Sequence, residues 1–353
     1  MRAARQMVYC AALLGVFVID NPQCGAYRAT HAQLAIVYLR DGLYGQALAE
    51  ARRAIRKQGP GARLLLVAAL AHMGLDEIDA ALDRLGQAIE LEPNDGDLYA
   101  VLRDICLRHE RFDKTGEILD RLGADHPQNA WLKAMQGWLD ARQQRPEQAT
   151  QALRQAIEIN AHHFFARIEL SRVLIDGEHF AEAETALVEA LQIQPEDPQL
   201  LLALGDCQLR LNRYEQADTT FAKALATRVV DPVDIARIYH QRQQPDRAIQ
   251  YYERALIRAP DDPMILNNLA WTYAEEGLHL RYALDLSIRA VKLEADSPVY
   301  LDTYAELLHL LGQHAHAIAI MGRALAFEAA DGEQRIYLEG QMAKFRRALA
   351  DRL

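Results

Sequence analysis

Residues 130–163 read AWLKAMQGWLDARQQRPEQATQALRQAIEINAHH, and residues 164–197 read FFARIELSRVLIDGEHFAEAETALVEALQIQPED. Written one above the other, these two 34-residue stretches pair Gly137 with Ser171, Ala149 with Ala183, Leu153 with Leu187 and Ala156 with Ala190. Small and apolar residues therefore recur at positions 4, 7, 8 and 11 of the unit and again at 20, 24 and 27. Both sets have helical spacing, so each unit is expected to be a pair of helices joined by a turn.

The same register extends in both directions. Units begin at Arg28, Ala62, Gly96, Ala130, Phe164, Pro198, Val229, Pro263 and Pro298, the sixth shortened by three residues and the eighth lengthened by one. Position 8 holds Ala35, Ala69, Arg103, Gly137, Ser171, Gly205, Ala236, Ala270 and Ala305, small in every unit but the third. Position 20 is alanine throughout except for Thr115, and position 27 except for Leu122. Helix starts are written at Asp197-Pro198, Asp231-Pro232, Asp262-Pro263 and Ser297-Pro298, each a capping side chain before a proline that needs no N–H partner at the first helical position. Pro93, Pro127, Pro195 and Pro260 stop the second helices, because their rings cannot continue the hydrogen-bond ladder.

On these landmarks, residues 28–331 resemble the tetratricopeptide-repeat family, whose period is 34 residues. The resemblance implies an all-α, right-handed superhelical solenoid of nine helical hairpins. The first helix of each hairpin would line a concave groove that binds a peptide or partner protein. With Arg103, Thr115 and Leu122 at its three small positions, the third repeat is expected to be irregular. Residues 332–353 carry Ile336, Tyr337, Met342, Phe345 and Leu349 among arginines and read as an amphipathic helix capping the array.

A chain of 353 residues is longer than one globular core usually grows, about 250 to 300 residues, and a repeat array accommodates that length. A formal charge of -10 disfavours nucleic acid as a partner. Cys10, Cys24, Cys106 and Cys207 lack the close pairing of a zinc or dithiol site. Arg2 and Arg5 precede an apolar run from Met7 to Ile19, too short to span a bilayer comfortably (~20 residues) and followed by the small residues Gly25 and Ala26. Residues 1–26 read as a cleaved signal peptide or a membrane anchor; a capping helix for the first repeat is the alternative.

In the family, positions 2, 5, 6, 9, 12 and 13 of the first helices face the groove. Trp131, Met135 and Trp138 share one helical face there, with Phe165 approaching from the next repeat and Arg142 and Arg172 flanking them. If exposed, this cluster would grip an apolar side chain while the arginines pair with carboxylates. Alternatively the tryptophans pack between helices, and Arg172, Asp206 and Arg237 form an inter-repeat charge ladder. A second candidate is Asn267, Asn268 and Trp271, with Asp302, Thr303 and Glu306 on the neighbouring helix; its amides could bond a peptide backbone, or serve capping and packing.

Catalytic readings fail. His109-Glu110-Arg111-Phe112-Asp113 has aspartate where a zinc-protease helix needs its second histidine. His309, His314 and His316 straddle a turn at Gly312, and His162 and His163 point in different directions. Neither a phosphate-binding glycine loop nor a nucleophile motif is present. The expected protein is a non-enzymatic scaffold without cofactor, exported to the periplasm or membrane-anchored and serving a bacterial envelope assembly. A cytoplasmic regulator and a self-associating homo-oligomer are the alternatives.

Overall fold

The computed structural model describes residues 29–327 and 332–351; the expected signal or anchor segment, and Arg28 at the start of the first repeat, lie outside them. Among the described residues there are nineteen helices and no strand. In chain order they are α1 (His31–Arg40), α2 (Tyr44–Gln58), α3 (Ala62–Gly74), α4 (Ile78–Leu91), α5 (Gly96–His109), α6 (Phe112–Asp125), α7 (Ala130–Arg142), α8 (Pro146–Ile159), α9 (Phe164–Asp176) and α10 (Phe180–Ile193). There follow α11 (Pro198–Arg210), α12 (Tyr214–Ala226), α13 (Pro232–Gln241), α14 (Pro245–Arg258), α15 (Pro263–Glu275), α16 (Leu280–Leu293), α17 (Pro298–Leu310), α18 (His314–Ala326) and α19 (Glu333–Ala350). Odd-numbered helices up to α17 are the first helices of repeats, and even-numbered ones the second. The chain divides into two compact units, one ending at Ile193 with repeats one to five, the other beginning at Gln194 with repeats six to nine and α19.

The first helices start as their caps dictate. Asp197 accepts from the amides of Gln199 and Leu200 at 2.9 Å, Asp262 from Met264 and Ile265 at 2.9 and 3.1 Å, and Asn129 from Leu132 at 2.9 Å. Ser297 differs from the expectation: its backbone is extended, but its hydroxyl makes no capping bond, leaving Pro298 alone to set the start of α17.

Inside every repeat the turn between helices has one geometry. Residue 15 of the unit (Gly42, Asp76, Glu110, Gln144, Glu178, Asn212, Gln243, Gly277, Gly312) has positive φ, between 54° and 81°. The following amide donates back to the carbonyl five residues earlier, as Glu77 does to His72 at 3.0 Å and Arg213 to Gln208 at 2.8 Å. This is a Schellman closure, which satisfies the orphan carbonyls of the first helix and reverses the chain. Only three of the nine left-handed positions are glycine, although glycine alone adopts that conformation without a Cβ penalty.

The alanines at positions 8, 20 and 27 form the seam. Ala35, Ala69, Ala81, Ala88, Ala149, Ala156, Ala183 and Ala190 are buried in the first unit, and Ala217, Ala236, Ala248, Ala270, Ala283 and Ala305 in the second. Close approach is enforced where glycine stands at position 8. A Cβ on Gly205 would lie 2.3 Å from the Phe221 ring, and one on Gly137 would lie 2.9 Å from the Ala149 carbonyl oxygen. The third repeat lacks such a seam, and α5 and α6 pack on each other far less than the helices of any other repeat. Arg103, too long and too polar for the seam, lays its guanidinium over the Phe165 ring, 4.9 Å from the centroid.

In the second unit α19 follows α18 as a further first helix would, burying Leu338, Met342 and Phe345 on Ala317, Met321 and Ala324. Ile336 and Tyr337, expected on its apolar face, are instead exposed. They lie off the i, i+4, i+7 stripe that Leu338, Met342 and Phe345 define.

Candidate functional site

In the first unit the expected aromatic grip is mostly interior. Trp138 and Met135 are each only 1% exposed and join the core of Leu102, Ile105, Leu119 and Leu122, so the exposed cluster is corrected to a packed one. With the third hairpin lacking its alanine seam, large side chains fill that stretch of core. Trp131 and Phe165 are half-buried. Tyr99, Trp131 and Phe165 stack in series, with centroids 5.7 and 6.0 Å apart and planes within 8° and 21°. His163 meets Trp131 edge-on at 4.3 Å, and its Nδ1 accepts from the Ala166 amide at 3.2 Å, capping α9. Burial lowers the pKa of His163, so the ring is held neutral, with its proton on Nε2 facing no hydrogen-bond acceptor among the described residues.

The flanking arginines behave separately. Arg142 is exposed, and Arg172 pairs with Glu169 of its own helix at 2.8 and 2.9 Å. In the second unit Asp206 is held by Arg242 at 2.6 and 2.9 Å and by Arg210 at 3.2 Å, while Arg237 reaches Asp234 at 3.9 Å. Within the second unit Asp206 and Arg237 therefore do not form the expected rung of a charge ladder, and Arg172 and Arg237 each turn to a carboxylate three residues away on their own helix. Arg242 was not singled out from the sequence: it stands at position 14 of the seventh repeat, five beyond the position of Asp206 in the sixth and one past the positions read as facing the groove.

The second candidate presents a different surface. Asn267, Asn268 and Trp271 lie on α15, which packs on α17, the helix bearing Asp302, Thr303 and Glu306. Trp271 and Asn268 are half-buried. Asn267 is 4% exposed, and its Oδ1 has no hydrogen-bond partner among the described residues. A buried carbonyl left without a donor costs about 1–3 kcal/mol, so this atom is poised to accept one. Burial pushes Tyr252, which bonds the Asn268 side chain, up to about 12, against the opposing influence of Arg237 and Asn268.

At the end of this face α19 supplies its own contacts. The Tyr337 hydroxyl donates to Asp302 at 3.2 Å, and Lys344 donates to both oxygens of Glu306 at 2.7 and 2.8 Å. Burial raises Asp302 to about 6; Glu306 pushes the same way, and Tyr337 and Lys344 oppose. Among the described residues no cluster of three histidine, cysteine or acidic side chains could hold a metal ion, and no helix is long and apolar enough to cross a membrane. Cys106 and Cys207 are buried and not joined in a disulfide.

Two-helix hairpins of near-constant length joined along a seam of small residues define a helical-repeat protein. Tetratricopeptide-repeat models match residues 72–139, 174–238 and 233–272. With the nine in-register hairpins, the chain belongs to the tetratricopeptide-repeat family and is a protein–protein interaction scaffold. It is 21% identical over 204 residues to the BBSome complex member BBS4 homolog of Drosophila melanogaster, covering 57% of this chain and 42% of that protein. It is 27% identical over 145 residues to anaphase-promoting complex subunit 6 of Arabidopsis thaliana, covering 39% of this chain and 27% of that one. The chain thus spans less than half the length of the curated relatives it matches. Among solved structures, yeast Tom70 is similar with a TM-score of 0.45 and 15% identity, over 91% of this chain and 82% of that chain.

Proposed function

We propose that the chain is a non-catalytic adaptor that holds an extended peptide or partner helix against the first-helix face of its second unit, at Asn267, Asn268 and Trp271. The observation that carries this reading is the buried, unpartnered Oδ1 of Asn267 beside a half-buried tryptophan. Turned outward about its side-chain torsions, Asn267 would offer that oxygen to a peptide amide, and an apolar side chain of the partner would cover the indole. The aromatic cluster of the first unit is assigned to packing, because Trp138 and Met135 are interior and Trp131 and Phe165 are half-buried in a stack with buried Tyr99.

The tryptophan is the handle for the test. A photo-crosslinking phenylalanine analogue in place of Trp271 is expected to give, in cells, an adduct with a discrete partner whose crosslinked peptide is identified by mass spectrometry. The adduct should fall when Asn267→Ala is added. Adducts as abundant from a probe at exposed Arg142 would remove the site assignment.

Export and an envelope assembly complete the proposal and rest on residues 1–26. Intact mass after fractionation decides it: loss of those residues in the periplasm, or an intact chain in the membrane, supports export. An intact cytosolic chain transfers the role to a cytoplasmic regulator.

A further inference from the structure

The first repeat ends in a concentration of positive charge that the rest of its unit lacks. Arg52, Arg53, Arg56 and Lys57 stand on α2 within an arc of about 140°, opposite the face that buries Ala47, Ala51 and Ala54. Arg63 follows in the first turn of α3, across the uncharged loop Gly59-Pro60-Gly61. All five cations are exposed. Arg53 pairs with buried Glu50, while Arg52, Arg56, Lys57 and Arg63 enter no ion pair or side-chain hydrogen bond among the described residues. The repeat register isolates the patch. Where the first repeat has Arg56 at position 29, the second and fourth have Glu90 and Glu158, and where the second opens with Arg63 at position 2, the next has Asp97. A charge needed to close the hairpin would recur with the hairpin, so these cations serve something outside the fold.

We infer that this basic end rests on the anionic surface of a phospholipid bilayer, its guanidinium and ammonium groups meeting headgroup phosphates. The occupant is selected by what precedes the patch in the chain and by where the chain enters the fold. The apolar run Met7–Ile19 lies ten residues ahead of Thr30, a stretch that reaches at most about 36 Å. His31 at the start of α1 is tied to Glu50 by its Nδ1 at 2.6 Å, so the chain enters about 9 Å along the helix axis from Arg56. With fifteen residues against ten, α2 runs on past that entry point and carries Arg56 and Lys57 outward. An apolar segment and a polybasic patch are two weak signals that together hold a protein at a membrane, the first raising the effective concentration of the second. Choice of a bilayer rests on the export-or-anchor reading of residues 1–26; the exposed, unpaired cations stand without it. The net charge of -10 does not oppose the contact, because charges are screened over about 8 Å and the acidic junction at Glu90 and Asp97 lies one hairpin further along, about 10 Å.

The test uses the full chain with Cys10 and Cys24 replaced by alanine and a polarity-sensitive fluorophore on Gln58→Cys, at the exposed last residue of α2, or on Gln148→Cys, exposed on α8. Vesicles rich in phosphatidylglycerol should shift the emission at the first position and leave the second unchanged, and phosphatidylcholine vesicles should shift neither. Each cation near an anionic surface is worth about fivefold in binding, so changing Arg52, Arg56, Lys57 and Arg63 together to glutamine should cut the shift at least about tenfold. Helicity should stay unchanged, because all four are exposed. Co-sedimentation reports the apolar run separately. A chain that sediments with phosphatidylcholine but shows no phosphatidylglycerol-dependent shift keeps the anchor reading and overturns the patch, whereas a shift on phosphatidylglycerol without that sedimentation supports the patch and removes the anchor. An undiminished shift in the quadruple variant, or equal shifts at both positions, would also overturn the inference. So would the same shift with soluble polyglutamate in place of vesicles, which would assign the patch to an acidic protein.

Discussion

Trp138→Ala tests whether the tryptophan that the sequence places on the groove face is part of the core. The side chain is 1% exposed and is the largest fully buried one among the described residues, set among Leu102, Ile105, Leu119 and Leu122. Truncating a buried tryptophan removes its transfer free energy and leaves a cavity that neighbours refill only in part, at a cost of about 3–5 kcal/mol. Against a typical stability of about 5–15 kcal/mol, that is about a fifth of the total at the least. The loss falls beside the repeat whose own hairpin is least well closed, so little local packing is available to relax into the space. Urea denaturation followed by circular dichroism is the assay, and it should show the transition of the first unit moving to lower urea while that of the second stays in place. Trp131→Ala, which removes a half-buried ring from a stack, is expected to cost less than Trp138→Ala. A Trp138→Ala protein with an unshifted midpoint and reduced partner binding would refute the reasoning and return the residue to the binding surface.

Two further outcomes follow from the backbone and from one carboxyl. Glu178 sits at a φ of 60° in the turn between α9 and α10, so Glu178→Gly relieves a left-handed Cβ and should raise stability by about 1 kcal/mol, read as a higher melting temperature; the glycine's extra unfolded entropy sets the ceiling. Asp302 is raised from 3.8 to about 6 by burial, so the folded state binds the proton more tightly than the unfolded state. The Asp302 contribution to stability is therefore greatest below pH 4, falls as the pH rises towards 6 and is level above it. Asp302→Asn, which keeps an acceptor for Tyr337, should remove that slope and stabilise the protein at pH 7 by at most about 3 kcal/mol, both measurable by thermal melts across pH.

Much of the hairpin architecture was legible because its determinants are short-range and repeated. Alanines at three fixed positions, Asp-Pro junctions and the 34-residue shift each restate the same geometry, and the third repeat's departure from it was visible in Arg103, Thr115 and Leu122. The candidate site was less legible because burial depends on which neighbours cover a face. Trp138 and Trp271 occupy the same repeat position, yet one is interior and the other half-buried. Charge partners were misread for a related reason. A long arginine can choose among carboxylates one turn away or one repeat away: Arg172 and Arg237 take the first and Arg242 the second. The contacts of α19 on Asp302 and Glu306 lay beyond the repeat register, where no period points to them.

The weak closure of α5 on α6 bears on how the first unit opens. In a one-dimensional array each repeat is held by its own hairpin and by its neighbours, and cooperativity passes along the chain only as far as those couplings are strong. A repeat with a poor internal interface behaves as a soft link. Amides of residues 96–125 should exchange with solvent through a low-energy opening before the repeats on either side release theirs, making this segment the least protected foldon of the unit. A protease that finds little elsewhere in the helices would make its first cut there, so limited digestion would reveal where the array comes apart.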